Sequence, residues 1–153
     1  MKIEQIKPKH KWTTEEVEQI NILLYQLTLS SDKKIDAAYL RKIAAGGILL
    51  VMRDGQRIIG MGGLAIIIAP AHQTGRIEDM VVHGDYRGQG LGRKIAKALI
   101  ARARQLKLGR IDLTSHRHRV AANKLYLSLG FKLVGEGVVN FYTLHLNSVK
   151  PRK

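Results

Sequence analysis

Cysteine is absent from this chain. That excludes disulfides, thiolate metal sites and a cysteine nucleophile, and it fits a reducing cytoplasm. Phe and Trp are scarce, at two and one. An aromatic platform for stacking single-stranded nucleic acid is therefore poorly supported, and zinc-finger and RNA-recognition signatures are missing. No apolar run reaches the length of a membrane span. The longest, Gly60 to Ala71, reads as a buried strand. The opening Met1-Lys2-Ile3 lacks a secretory apolar region. A cytoplasmic chain with no membrane partner is expected. Acids are also few. Twelve Asp plus Glu against 26 Lys plus Arg leave a net charge of +14, which suits an anionic partner.

What is present is enough to fold. The 153 residues are 45% hydrophobic, sufficient for one domain with one substantial core. We expect a single domain over 1–153, with a core at 1–149 and a basic tail, Lys150-Pro151-Arg152-Lys153. No internal repeat or linker is visible. Lys2 to Lys7 alternates and reads as a strand. Thr13-x-x-Glu16 is a capping box ahead of a helix from about Thr14 to Leu29. Asp36 caps a second helix through Ala45, stopped by Gly46-Gly47. Ile48 to Arg53 and Gln56 to Ile68 form a hairpin around Asp54-Gly55. Pro70 to Thr74 reads as loop and Gly75 to Val82 as the next strand. Leu91, Ile95, Leu99, Ala103 and Leu106 make one helical stripe, closed by Gly109. Ile111 to Thr114 is a strand, Val120 to Leu129 a helix ended by Gly130, and Phe131–Val134 and Val138–Leu146 two final strands. This order implies a mixed α/β layered fold.

The most informative stretch is Arg87-Gly88-Gln89-Gly90-Leu91-Gly92. It lies between the apolar run Met80-Val81-Val82 and the helix that begins near Leu91. Glycines let the backbone turn tightly and approach a ligand. The helix start adds unpaired N–H groups and the positive end of a dipole, which together favour a phosphate or pyrophosphate. A Walker loop would need Lys-Ser/Thr after the last glycine, but Arg93-Lys94 follows Gly92. A dinucleotide fingerprint starting at Gly88 fails at its third glycine, where Arg93 stands. From Arg87 to Arg119 there are ten Lys or Arg and one acid, Asp112. The positive charge concentrates around this turn.

Arg-x-x-Gly-x-Gly after an extended strand resembles the acetyl-CoA pyrophosphate loop of the GNAT N-acetyltransferases. Ile77-Glu78-Asp79-Met80-Val81-Val82 looks like that family's fourth strand. Ala121-Ala122-Asn123-Lys124-Leu125-Tyr126 and then Leu129-Gly130-Phe131 look like its late helix and the turn into its sixth strand. The likeness runs from about Ile77 to Tyr142, while residues 1–76 match in general layout only. It implies a mixed seven-stranded sheet with about four helices. It also implies fourth and fifth strands that splay to admit the cofactor.

The same resemblance implies roles. Arg87, Gly88, Gln89, Gly90, Leu91, Gly92 and Arg93 would hold the pyrophosphate, with Arg87 either meeting phosphate or bracing the loop. Backbone groups around Met80, Val81 and Val82 would pair with the pantetheine arm, as an added strand would. Asn123 would bond that arm or a water. Tyr126 would protonate the leaving thiolate, against the plainer reading of a packed helical aromatic beside Leu125 and Leu129. Glu78 would take the amine proton through water, against the plainer reading of a solvated or ion-paired strand residue. In a regular strand Asp79 would face away from Glu78, and a bulge would upset that. His116-Arg117-His118-Arg119 reads as a basic loop. Two histidines are too few for a metal site, so no metal is expected.

No Ser-His-Asp or nucleophile-elbow pattern occurs, which favours direct transfer over an acyl-enzyme. The expected function is an acetyl-CoA-dependent N-acetyltransferase acting on a primary amine of a small molecule or peptide. A longer acyl donor stays open, and so does the acceptor. Family members are often dimers, so a homodimer is also an expectation. The competing reading is a basic nucleic-acid or ribosome-binding module on the same fold without catalysis.

Overall fold

The computed structural model describes residues 1–146. The elements are β1 (Lys2–Gln5), α1 (Thr14–Thr28), α2 (Ala37–Gly46), β2 (Gly47–Asp54), β3 (Arg57–Ala69), β4 (His72–Val82), a 3₁₀ turn (Gly84–Tyr86), α3 (Leu91–Gln105), β5 (Arg110–His116), α4 (Val120–Ser128), β6 (Lys132–Gly135) and β7 (Val139–His145). Seven strands form one mixed sheet in the order β1-β2-β3-β4-β5-β7-β6. The tail expected at 150–153 lies outside the described residues. Among the described residues no helix is long and apolar enough to cross a membrane.

Local signals account for most boundaries. Thr13 accepts a hydrogen bond from the Glu16 N–H at 3.1 Å, and the Glu16 carboxylate accepts from the Thr13 N–H at 3.0 Å. This closes the expected capping box. Glu16 also receives the Arg53 guanidinium, which ties the start of α1 to β2. Burial pushes its carboxyl up, but the Thr13 N–H and Arg53 outweigh that and hold it below the usual range. Asp36 caps α2 by accepting from the Tyr39 N–H at 2.8 Å.

One boundary differs from expectation. Residues 72–74 are strand, not loop. Only Pro70 and Ala71 turn, and Ala69 pairs directly with His72, then Ile68 with Gln73 and Ile67 with Thr74. Pairing with the long β3 outweighs the polar composition of His72-Gln73-Thr74, because strand formation depends on neighbours more than on residue type.

The two sheet faces carry two cores. Ile20, Leu23, Leu40, Val51 and Met61 pack under α1 and α2. Ile95, Leu99, Ala103, Ile111, Tyr126 and Tyr142 pack on the other face, under α3 and α4. β4 and β5 run parallel, and their pairing spans only Thr74–Arg110, Gly75–Ile111 and Arg76–Asp112. Beyond that point β5 keeps β7 as its partner as far as His116–Val139, while β4 continues to Val82 beside β3. The two strands therefore part in a V, with unpaired backbone on its inner sides.

Candidate active site

The V opens into a cavity of about 880 Å³. One wall is Ile77 to Val82 of β4. The other is Leu113 to His116 of β5 with the start of α4. Its far end is the turn into α3. Gly88 and Gly90 have φ of 77° and 73°, conformations that side chains rarely adopt. A Cβ built on either glycine would meet no heavy atom within 4 Å, so the space beside them is open. Gly90 is the N-cap of α3 and no side chain caps the helix. The first helical bond runs from the Lys94 N–H to the Gly90 carbonyl at 3.2 Å. The N–H groups of Leu91, Gly92 and Arg93 therefore precede the helical ladder, and these residues line the cavity.

Arg87 braces this turn. Its Nε donates to the Val82 carbonyl at 3.1 Å. The His83 N–H bonds the Ile59 carbonyl of β3 at 2.8 Å, so the Val82 carbonyl, on the other side of the same peptide, faces the V. Arg93 reaches Ser128 on α4 at 2.6 Å from the cavity rim. Gln89 is exposed and does not line the cavity. Of the ten basic residues between 87 and 119, three (Arg87, Arg93 and Arg119) line it. Lys94, Lys97, Arg102 and Arg104 lie exposed on the outer face of α3.

β4 is not a regular strand. Met61 pairs with Val81 and Gly63 with Glu78. One residue of β3, Gly62, thus opposes two of β4, Asp79 and Met80. This is a bulge, and Asp79 takes φ of 49° within it. Glu78 and Asp79 are consecutive exposed residues that both line the cavity, contrary to the opposite-facing arrangement of a regular strand. Glu78 pairs with Arg76 at 2.5 Å, and Arg76 also reaches Thr114 across the V at 3.3 Å. Desolvation, then the neighbouring Glu78 charge, pushes the Asp79 carboxyl up, with Lys33 opposing. The opposite-facing expectation for Asp79 holds for a regular strand, and the bulge removes that condition. Gly62 and Gly63 of β3, which stand opposite the bulge, are its local sign.

Tyr126 sits deep in the cavity wall and is 6% exposed. Phe131 packs edge-on against it and Tyr142 lies tilted beside it, at centroid distances of 5.8 and 5.9 Å. Among the described residues its hydroxyl has no hydrogen-bond partner. Burial pushes that hydroxyl up to about 12; Arg119 opposes and Tyr142 adds to the rise. Asn123 is turned elsewhere. Its amide donates to the carbonyls of His116 and Arg119, both at 3.0 Å, and its Oδ1 accepts from the Tyr142 hydroxyl at 2.7 Å. It does not line the cavity. It holds the β5–α4 loop and the start of α4, on which Tyr126 is carried.

The end of α1 also belongs to the site. Gln26, Leu27 and Thr28 line the cavity. Gln26 accepts from the Gly84 N–H at 2.8 Å, and the Leu27 carbonyl accepts from Arg119 at 2.6 Å. One helix end thus spans both banks of the V. These partners are 58 and 92 residues apart, so no local sequence signal could have marked them. His116 and His118 stack at 5.3 Å on the rim. Among the described residues, no group of three or more metal-ligating side chains comes together.

Residues 13–131 match the family model described as the acetyltransferase (GNAT) family. Solved structures share the fold over nearly the whole chain. The yncA protein of Salmonella typhimurium, solved with its cofactor acetyl-CoA, aligns at a TM-score of 0.77 and 19% identity, covering 100% of this chain and 98% of its own. A GNAT-family acetyltransferase of Streptococcus pneumoniae aligns at 0.75 and 20%, covering 94% and 98%. The ribosomal-protein-alanine N-acetyltransferase of Brucella melitensis aligns at 0.75 and 16%, covering 95% and 100%.

Proposed function

The chain belongs to the acetyltransferase (GNAT) family, and on that premise we propose that it moves an acetyl group from acetyl-CoA directly to a primary amine within the V of β4 and β5. The observation that carries this reading is the uncapped start of α3. Two positive-φ glycines leave open space beside three free N–H groups, and the same cavity reaches the Tyr126 hydroxyl. The residues fit a pyrophosphate, because backbone donors and the helix dipole converge where no side chain intrudes.

Arg87 acts on this reading by shaping the turn, and Arg93 supplies charge at its rim. The Met80 and Val82 peptide groups offer a β-type edge for an extended amide-bearing arm. When bound, acetyl-CoA supplies an acetyl thioester, whose C–S bond breaks as the acceptor's C–N bond forms. The amine must first lose a proton, since an alkylamine of pKa near ~10.4 is mostly charged at neutral pH. Glu78 takes that proton, directly or through water, and Asp79 adds negative charge beside it. Tyr126 holds its proton at every ordinary pH and presents it to the leaving sulfur. A phenol raised to about 12 is a weak acid for a solvated thiolate of pKa near ~8.5. The low-polarity wall that raises the phenol also raises the proton affinity of a thiolate beside it. A hydrogen bond that strengthens as charge develops on sulfur is the result.

The direct test combines calorimetry of acetyl-CoA binding with thiol release across amines, peptides and aminoglycosides. Binding in the micromolar range with amine-dependent release supports the reading, and a folded protein that does not bind acetyl-CoA overturns it. Glu78→Gln is expected to keep acetyl-CoA affinity and to lower kcat ~10²-fold or more near neutral pH, the usual scale for a lost base. The loss should shrink as pH rises and the free amine becomes abundant. A pH–rate profile that superposes on the wild type would remove Glu78 from proton transfer.

A further inference from the structure

A second cavity, of about 330 Å³, lies on the other side of the β4 bulge, between α1, α2 and residues of β2 and β3. Its walls are largely aliphatic and include Leu24, Ile35, Ile43 and Met61. Glu78 and Asp79 line this cavity and also the larger one. The two spaces therefore share this wall at the bulge, and two of the chain's 12 acids stand between them in a protein that is otherwise strongly basic. Lys42 lies on the second cavity's exposed rim, on α2.

We infer that this cavity receives the body of the acceptor, and that the acceptor is a small primary amine with an aliphatic or arylalkyl body. The inference rests on the transfer reading above and adds the chemical class of the substrate. An ammonium group placed at Glu78 and Asp79 finds, among the described residues, the negative charge that lines both cavities. From there an apolar chain runs into aliphatic walls, where it gains by leaving water. A polyamine would bury further charges among Ile and Leu side chains without partners, which is costly. At the ~30 Å³ that liquid water takes per molecule, the cavity has room for roughly ten heavy atoms. Transfer at this junction needs no further reagent: the ammonium gives one proton to the carboxylate pair, the C–N bond forms as the C–S bond breaks, the sulfur takes the Tyr126 proton, and the second nitrogen proton restores the phenol.

The test uses ethylamine, butylamine and hexylamine, with ethanolamine and spermidine as polar comparisons. Each buried methylene contributes about fourfold. We expect kcat/KM to rise on the order of 10² from ethylamine to hexylamine, with spermidine no better than butylamine. Ala65 lines the second cavity but is exposed, so Ala65→Trp should fill it without disturbing the core. That variant should flatten the series while acetyl-CoA affinity by calorimetry stays unchanged. Asp79→Asn should lower kcat/KM for all members alike. Hexylamine binding to the wild type and to Ala65→Trp is also measured without acetyl-CoA, so the inference is tested even if acetyl-CoA does not bind. Loss of acetyl-CoA binding alone would overturn the transfer reading. A flat series, a preference for spermidine, or hexylamine binding indifferent to Ala65→Trp would overturn the acceptor class.

Discussion

Gly90→Val should abolish acetyl-CoA binding in a protein that still folds. Position 90 combines φ of 73° with empty space around a built Cβ. The two facts act on different properties. A left-handed backbone penalises a β-branched residue by roughly 1–2 kcal/mol, which a domain of ordinary stability survives. The empty space means that no protein atom resists the new methyls; only a ligand would. Valine also pulls the turn toward negative φ and swings the Leu91, Gly92 and Arg93 N–H groups away from a common focus. Affinity should fall at least ~10²-fold, since losing two charge-assisted hydrogen bonds at about 1.5–3 kcal/mol each is enough for that. Calorimetry reads the affinity, and circular dichroism with thermal melting establishes the fold. A folded variant with unchanged affinity would place the phosphates elsewhere.

Tyr126→Phe should preserve the fold and acetyl-CoA affinity while kcat falls ~10² to 10⁴-fold, the range for removal of a general acid. The aromatic ring, which packs on Phe131 and Tyr142, is retained, and among the described residues the lost hydroxyl has no hydrogen bond to break. Stability should therefore hold or rise slightly at neutral pH. The hydroxyl also makes an alkaline signature. Its folded pKa of about 12 lies above the ordinary phenol value of 10.0, so the folded chain binds this proton more tightly than the unfolded one. Its contribution is complete below pH 10 and is lost as pH climbs toward 12. The wild type should lose melting temperature over that window more steeply than the variant. Unchanged turnover under chemistry-limited conditions would return Tyr126 to the role of a packed core aromatic.

Both predictions concern residues singled out by a short sequence reading, and the reason is local. A capping box, a stripe of apolar residues at helical spacing, and glycines between strand and helix all act over a few positions. α1, α3 and the turn at Gly88–Gly90 could thus be placed directly. β4 begins at His72 and not at Gly75 because the identity of His72-Gln73-Thr74 matters less than the strand opposite. Whether β4 bulges at Asp79 is a matter of register, Gly62 against two residues of β4, which the pattern of Glu78-Asp79 alone leaves open. The contribution of Gln26 and Leu27 depends on contacts across most of the chain. The motif implies that Asn123 bonds the pantetheine arm or a water, while in this structure its amide bonds loop carbonyls and its Oδ1 accepts from Tyr142. Spacing can place a polar residue near a site, but hydrogen-bond competition decides which way it turns.

The strained backbone at Asp79 bears on how this chain has been selected. A non-glycine residue in the left-handed region costs about 1–3 kcal/mol, and among the described residues the Asp79 carboxylate, at φ of 49°, makes no hydrogen bond or ion pair that would hold it there. Evolution under pressure for durability alone would favour glycine at that position, and natural chains hold such concessions mainly where activity demands them. Asp79→Gly should accordingly melt at a higher temperature than the parent and acetylate amines more slowly. Thermostability and turnover would then be opposed at a single residue. A directed-evolution campaign that screened only for heat resistance would discard the junction between the two cavities first.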